Sequence, residues 1–218
     1  LVLREYLSAE KFLNQAISLA PDFGENYLRK ASLYYSWRAD TGLARAALAM
    51  CPSQDNDAIR WQWFWLHVYE RQYRAALSMV ATMSFVENDD MDRIIPKTLL
   101  SGIIYELESD SARARASWDS SRVILEQKVK ELPEEHSVHS ALGFAYAGLG
   151  RKDDAIREGK LGVELLPISK DAIAGPYRLK DLTVIYVMVG EYDAAFDQIE
   201  YLFSIPCEFS VPLLRLDP

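Results

Sequence analysis

The sequence predicts an all-α chain, a superhelix of about five helix pairs. Three observations carry this. Apolar residues recur at helical spacing through nearly every segment. Prolines close these patterns at regular places, at Pro21, Pro52, Pro133 and Pro167. Strand signals are weak, because no Asn-Gly or Asp-Gly hairpin turn and no long alternating run occurs.

The elements follow in order. In "AEKFLNQAISLAP", Phe12, Leu13, Ala16 and Ile17 with Leu19-Ala20 build one broad apolar face, so a helix is expected over 3–20. Further helices are expected over 24–37, 41–51, 56–69, 72–84, 93–108, 111–131, 136–148, 152–166, 175–189 and 192–204. Short polar or glycine turns join them in pairs. The stretch "FVENDDMD" (85–92) is an acidic connection and "PISKDAIAGP" (167–176) is a second loop. The end, "IPCEFSVPLLRLDP", holds three prolines and is expected to run extended along the last helices. The whole of 1–218 reads as one repeat domain. It opens at Leu1 inside a helical pattern, which reads as part of a longer polypeptide.

The chain's 218 residues are enough for a sizeable core, with 50% apolar and 26% charged residues. A net charge of −8 argues against nucleic acid or anionic membrane as a main partner. The longest apolar runs, "WFWLHVY" and "LTVIYVMV", fall far short of the ~20 residues that cross a bilayer, so no membrane insertion is expected. No signal peptide is visible, and the expected compartment is the cytoplasm. Cys51 and Cys207 read as small buried apolar residues rather than as a disulfide framework or zinc spacing.

Self-similarity sets the register. His139-x-x-Leu142-Gly143-x-x-Tyr146 is followed by Ala155 and closed by Pro167. "DLTVIYVMVGEYDAAF" repeats the order with Leu182, Thr183, Tyr186, Gly190 and Ala195. "LSGIIYELESDSARARASW" does so with Gly102, Tyr105, Ala114 and Trp118. Ala76, Ala114, Ala155 and Ala195 recur at intervals of 38, 41 and 40 residues (114 − 76, 155 − 114, 195 − 155). The small residues suit close helix crossings, and Leu and Tyr fill the space between pairs. This order resembles the tetratricopeptide repeat, Trp-x-x-Leu-Gly-x-x-Tyr, then Ala, Phe and Pro. Here His139 stands for the Trp and Gly159 for the Phe, and the period exceeds 34 residues. The excess fits longer loops and a long helix near 111–131. The resemblance implies a right-handed superhelix, with 3–20 as the second helix of a pair. The "LLRLDP" end is also similar to the tail that follows such repeats in large bacterial signalling proteins, which implies an interaction or sensing module of a longer regulatory protein.

No catalytic constellation emerges. "GFAYAGLGRK" has the glycines of a phosphate loop, but Leu149 follows Gly148, no Ser or Thr follows the Lys, and a helix rather than a strand precedes it. His136, His139 and His67 do not make a zinc set, and Glu87, Asp89, Asp90 and Asp92 lack the spacing and central Gly of a calcium loop. No Gly-x-Ser-x-Gly elbow occurs. Neither metal nor cofactor is expected, and the chain reads as a non-enzyme.

The most unusual stretch is Trp61, Trp63, Phe64, Trp65, His67 and Tyr69. In the repeat family the first helix of each pair lines the concave groove. By that alignment, the groove would present Arg29, Ser32, Tyr35, Trp61, Trp65, Tyr69, Ile103, Phe144, Lys180 and Val184. The competing reading for each aromatic is plain packing. Exposed aromatics beside Arg or Lys suit peptide hot spots. The Lys and Asn positions of the chaperone-tail clamp hold residues such as Ser140, Phe144, Trp61 and Trp65 here, so that clamp is not expected. The expected function is therefore binding of a protein or peptide segment in the groove, with Arg29 and Lys180 as polar anchors. The alternative is a small-molecule sensor coupled to an output domain, and a hydrolase or nucleotide-binding enzyme is a distant third.

Overall fold

The computed structural model describes residues 2–83 and 94–218. Within them lie twelve helices and no strand: α1 Tyr6–Leu19, α2 Glu25–Arg38, α3 Thr41–Ala49, α4 Asp57–Tyr69, α5 Tyr73–Thr82, α6 Lys97–Leu107, α7 Ser111–Glu131, α8 His136–Gly148, α9 Lys152–Leu165, α10 Gly175–Met188, α11 Tyr192–Ser204 and α12 Val211–Leu216. The fold class is the all-α helix-pair class that the sequence predicts. The acidic stretch 85–92 lies outside the described residues.

Each first helix of a pair ends the same way. Ala39, Arg71, Ser109, Gly150 and Gly190 adopt left-handed φ values of 54°, 60°, 58°, 74° and 78°. Each sits two residues before the second helix of its pair. The next N–H then closes the helix end: Gln72 donates to His67 O at 2.8 Å, Asp110 to Tyr105 O at 2.8 Å, Arg151 to Tyr146 O at 2.8 Å and Glu191 to Tyr186 O at 2.9 Å. Tyr105, Tyr146 and Tyr186 are the tyrosines that the repeat alignment superposes. Arg4, with φ 58°, stands in the same relation to α1. That places α1 as a second helix and explains why it begins at Tyr6 rather than at residue 3.

The chain divides into two compact units. Unit 1 is Leu1–Ser84 with Pro206–Pro218, and unit 2 is Phe85–Ile205. Unit 1 packs α2 on α3, α4 on α5, α1 on α2, and α12 on α2. Its core joins Tyr27, Leu28, Ala31, Tyr34, Tyr35, Ala44, Ala47, Leu48, Cys51, Ile59 and Leu66. Unit 2 pairs α6 with α7, α8 with α9 and α10 with α11. Here the small residues do what their spacing predicts. A Cβ on Gly143 would meet Ile185 Cδ1 at 2.7 Å and the Ala155 carbonyl at 3.1 Å, so α8, α9 and α10 come together there. At Gly159 an added Cβ would come within 2.9 Å of both Ile185 Cδ1 and Leu182 Cδ1 of α10. The indole of Trp118 lies against both Gly102 and Gly148, where an added Cβ would come within 2.8 and 2.4 Å of it.

One expectation is corrected. Residues 205–218 do not run extended along the last helices. Residues 206–218 belong to unit 1, and 211–216 are helical. Ser210 has extended backbone (φ −146°, ψ 158°) and its Oγ accepts from Leu213 N at 3.2 Å, a helix N-cap. Pro212 falls in the first turn, where a missing N–H costs no hydrogen bond. Pro212, expected to lie in an extended end, therefore sits at a helix start instead.

Candidate functional site

Unit 1 contains a chain segment laid across the first helix of a pair. Residues 206–210 run into α12, which packs on α2. Three arginines hold this tail. Arg4 Nη2 donates to the Phe209 carbonyl at 3.2 Å and approaches Cys207 Sγ at 3.9 Å. Arg29 of α2 faces Glu208 at 3.7 Å and also holds Glu25 at 2.7 Å. Arg71, in the turn after α4, donates to the Leu216 carbonyl at 2.8 Å. Between them, Ser210 Oγ donates to the Ser36 carbonyl at 2.7 Å. Leu213 and Leu216 pack, partly buried, on the unit 1 core. Cys207, Phe209 and Ser210 are buried.

The aromatic helix α4 divides its residues between core and rim. Trp61 is only 6% exposed, stacked on Phe64 at 6.1 Å and edge-on to Trp65 at 5.7 Å. Trp65 is half-buried between Trp61 and Tyr69, whose ring centroid is 5.9 Å away. Tyr69 is half-buried and edge-on to Tyr35 at 5.2 Å. Tyr35 is buried, and its hydroxyl makes no hydrogen bond among the described residues. Burial, reinforced by nearby Glu70, holds that phenol far above its ordinary value. Trp63 points elsewhere, stacked on His67 at 6.0 Å with Arg45 5.3 Å from its ring. Arg45 is paired with Glu70.

The other two expected groove residues lie in unit 2. Phe144 of α8 packs, half-buried, on the core that includes Trp118, Leu142 and Ile185. Lys180 of α10 is half-buried, near the buried Arg178, which pairs with Asp181 at 3.2 Å. Also in unit 2, His139 is a buried ion-pair partner: Nδ1 is 2.7 Å from Glu158 Oε2 and Nε2 is 2.9 Å from the Pro133 carbonyl. The Pro133 carbonyl and an ionised Glu158 both accept only, an arrangement that favours the doubly protonated imidazole. The Glu158 hydrogen bond raises the His139 pKa against the cost of burial. Burial would raise Glu158, but hydrogen bonds from His139 and Arg157 lower it. Among the described residues no group of three His, Cys, Asp or Glu could hold a metal ion, and no helix is long and apolar enough to cross a membrane.

The expected groove set thus separates by burial. Arg29 is exposed, Trp65, Tyr69, Phe144 and Lys180 are half-buried, and Tyr35 and Trp61 are buried. Sequence reasoning missed the tail; of the expected groove residues, Arg29 meets it, at Glu208. Ser210 followed by Val-Pro-Leu-Leu was the available signal, a hydroxyl cap with Pro in the first turn.

No family model matches the chain, and no curated protein matches it. Among solved structures, the crystal structure of PilW, a widely conserved type IV pilus biogenesis factor, is similar with a TM-score of 0.51 and 16% sequence identity. The match covers 98% of this chain and 91% of that one. At this identity the likeness is one of fold.

Proposed function

We propose that the chain is a non-catalytic scaffold that binds a segment of a partner protein along the first helices of its pairs, as a module of a larger regulatory assembly. The observation that carries this reading is the tail on α2. A short stretch of chain rests there on arginine hydrogen bonds to its carbonyls and on seats for two leucines. The carbonyl contacts are indifferent to side-chain identity, whereas the leucine seats select it, in the manner of apolar anchors on a helix docked in a groove. The likeness to PilW in fold is compatible with a scaffold of this kind. Net charge −8 favours a protein over a nucleic acid as partner.

The test is a random-peptide display selection on the full chain, run in parallel on the Leu213→Asp/Leu216→Asp chain. Enrichment of one related group of peptides is expected. Their binding should fall at least tenfold with Arg29→Glu or Trp65→Ala at unchanged helix content. No enriched group, or one indifferent to these substitutions and to Lys180→Glu, would overturn the reading.

A further inference from the structure

We propose that residues 206–218 are a built-in occupant of the unit 1 binding face, and that the partner segment this face takes shares their chemistry. The partner would carry an acidic residue two positions before a Ser or Thr, which caps a short helix with leucines three and six positions later. In this chain these are Glu208, Ser210, Leu213 and Leu216. The inference rests on the reading of unit 1 as a peptide-binding face.

Each feature has its counterpart on the protein. The acidic residue meets Arg29 at 3.7 Å. The hydroxyl has two simultaneous duties, donating to the Ser36 carbonyl and accepting from Leu213 N, and the single oxygen of a Ser or Thr can do both. The leucines lie one helical turn apart, on one side of α12 and against the core. Arg4 and Arg71 grip carbonyls of Phe209 and Leu216, contacts that any side chain at those positions permits. Arg4 and Arg71 are also left-handed turn residues that the repeat itself places, at φ 58° and 60°. The clamp therefore stands ready on the scaffold.

The tail is held in two grades. Cys207, Phe209 and Ser210 are buried, whereas no residue of α12 is. A helix of six residues has no stability of its own in water, so α12 persists only while its leucines stay seated. A tethered segment of this kind competes at an effective concentration of about millimolar. A free segment of equal chemistry is then excluded until the tail is loosened, and the apparent affinity falls by the fraction of open face.

The experiment uses the full chain and a fluorescein-labelled peptide of residues 206–218, read by anisotropy. Expected is binding to the Leu213→Asp/Leu216→Asp chain at least tenfold tighter than to wild type. Arg29→Glu in that background should weaken it several-fold, and a peptide carrying Glu208→Arg should recover the loss. Should the double variant lose helix content, Leu213→Ala/Leu216→Ala and Ser210→Ala loosen the tail while leaving the face itself unaltered, and the same ordering is required of them. Equal binding to wild type and loosened chains, or none to a folded loosened chain, overturns the proposal. If the display selection nevertheless enriches peptides lacking this motif, the face binds segments of another kind and only the present inference falls. If it enriches nothing, both fall.

Discussion

Among single residues, His139 stands where the repeat pattern has tryptophan, and it replaces aromatic bulk with a buried charge pair. Its folded pKa is raised, so its contribution to stability is fully present below the unfolded value of about 6.5 and is lost as pH rises through the folded value. Glu158 is lowered, so its contribution is present above about 4.3 and lost as pH falls through its folded value. Urea titrations should therefore show stability falling on the alkaline side of the His139 window, and His139→Gln should flatten that slope. His139→Ala, which leaves Glu158 with Arg157 as its remaining partner, should cost about 1–3 kcal/mol. Tyr35 offers the opposite case. Its buried hydroxyl lacks a partner among the described residues, so Tyr35→Phe should be neutral or stabilise by about 1 kcal/mol in the same titrations. The left-handed turns make a third. Ala39→Gly should stabilise by about 0.5–1 kcal/mol, and Gly150→Ala should destabilise by about 1 kcal/mol, because a Cβ is disfavoured at positive φ. The sequence showed Gly150 and Gly190 as turns. It hid Ala39, Arg71 and Ser109, whose side chains carry no mark of the conformation that the repeat imposes on them.

Helix boundaries were legible wherever proline or a small-residue turn ended a pattern, and α7, α8 and α11 lie where periodicity placed them. The failure at α12 has a physical cause. Six residues are too few to show a period, and Pro212 reads as a breaker unless Ser210 is seen as the cap. Trp61 shows the other limit. Helical phase puts 61 and 65 on one side of α4, but only the neighbouring chain decides which of them is covered. Trp118 shows how elements interlock in unit 2, with Gly148 of α8 and Gly102 of α6 against its ring. Gly148→Ala should cost about 1–3 kcal/mol by overpacking, measured by thermal unfolding. Trp118→Phe in the same chain should recover part of that loss.

In the molecule as a whole, sequence order and spatial grouping part company. Unit 2 is a contiguous run of residues, whereas unit 1 is completed by residues 206–218. No periodicity argument could have assigned the tail to α2, because that contact joins residues far apart in sequence, 174 positions in the case of Ser210 and Ser36. Loosening the tail should consequently be felt in one unit. In native-state hydrogen exchange, Leu213→Asp/Leu216→Asp should speed amide exchange in α2 and leave α8 and α9 protected as in wild type. Uniform acceleration in both units would show that they open as one.

That grouping also orders events during synthesis. Unit 2 can form from neighbouring helices as they leave the ribosome, since its pairings are local. Unit 1 is translated first but finished last. Arg4, Arg29 and Arg71 wait, with the core beneath Leu213 and Leu216 uncovered, until unit 2 has been made in full. A nascent chain stalled after residue 205 would display that surface to chaperones and to any competing segment. Proteolysis of stalled chains should report it as a vulnerable first unit, which becomes resistant once residues 206–218 emerge.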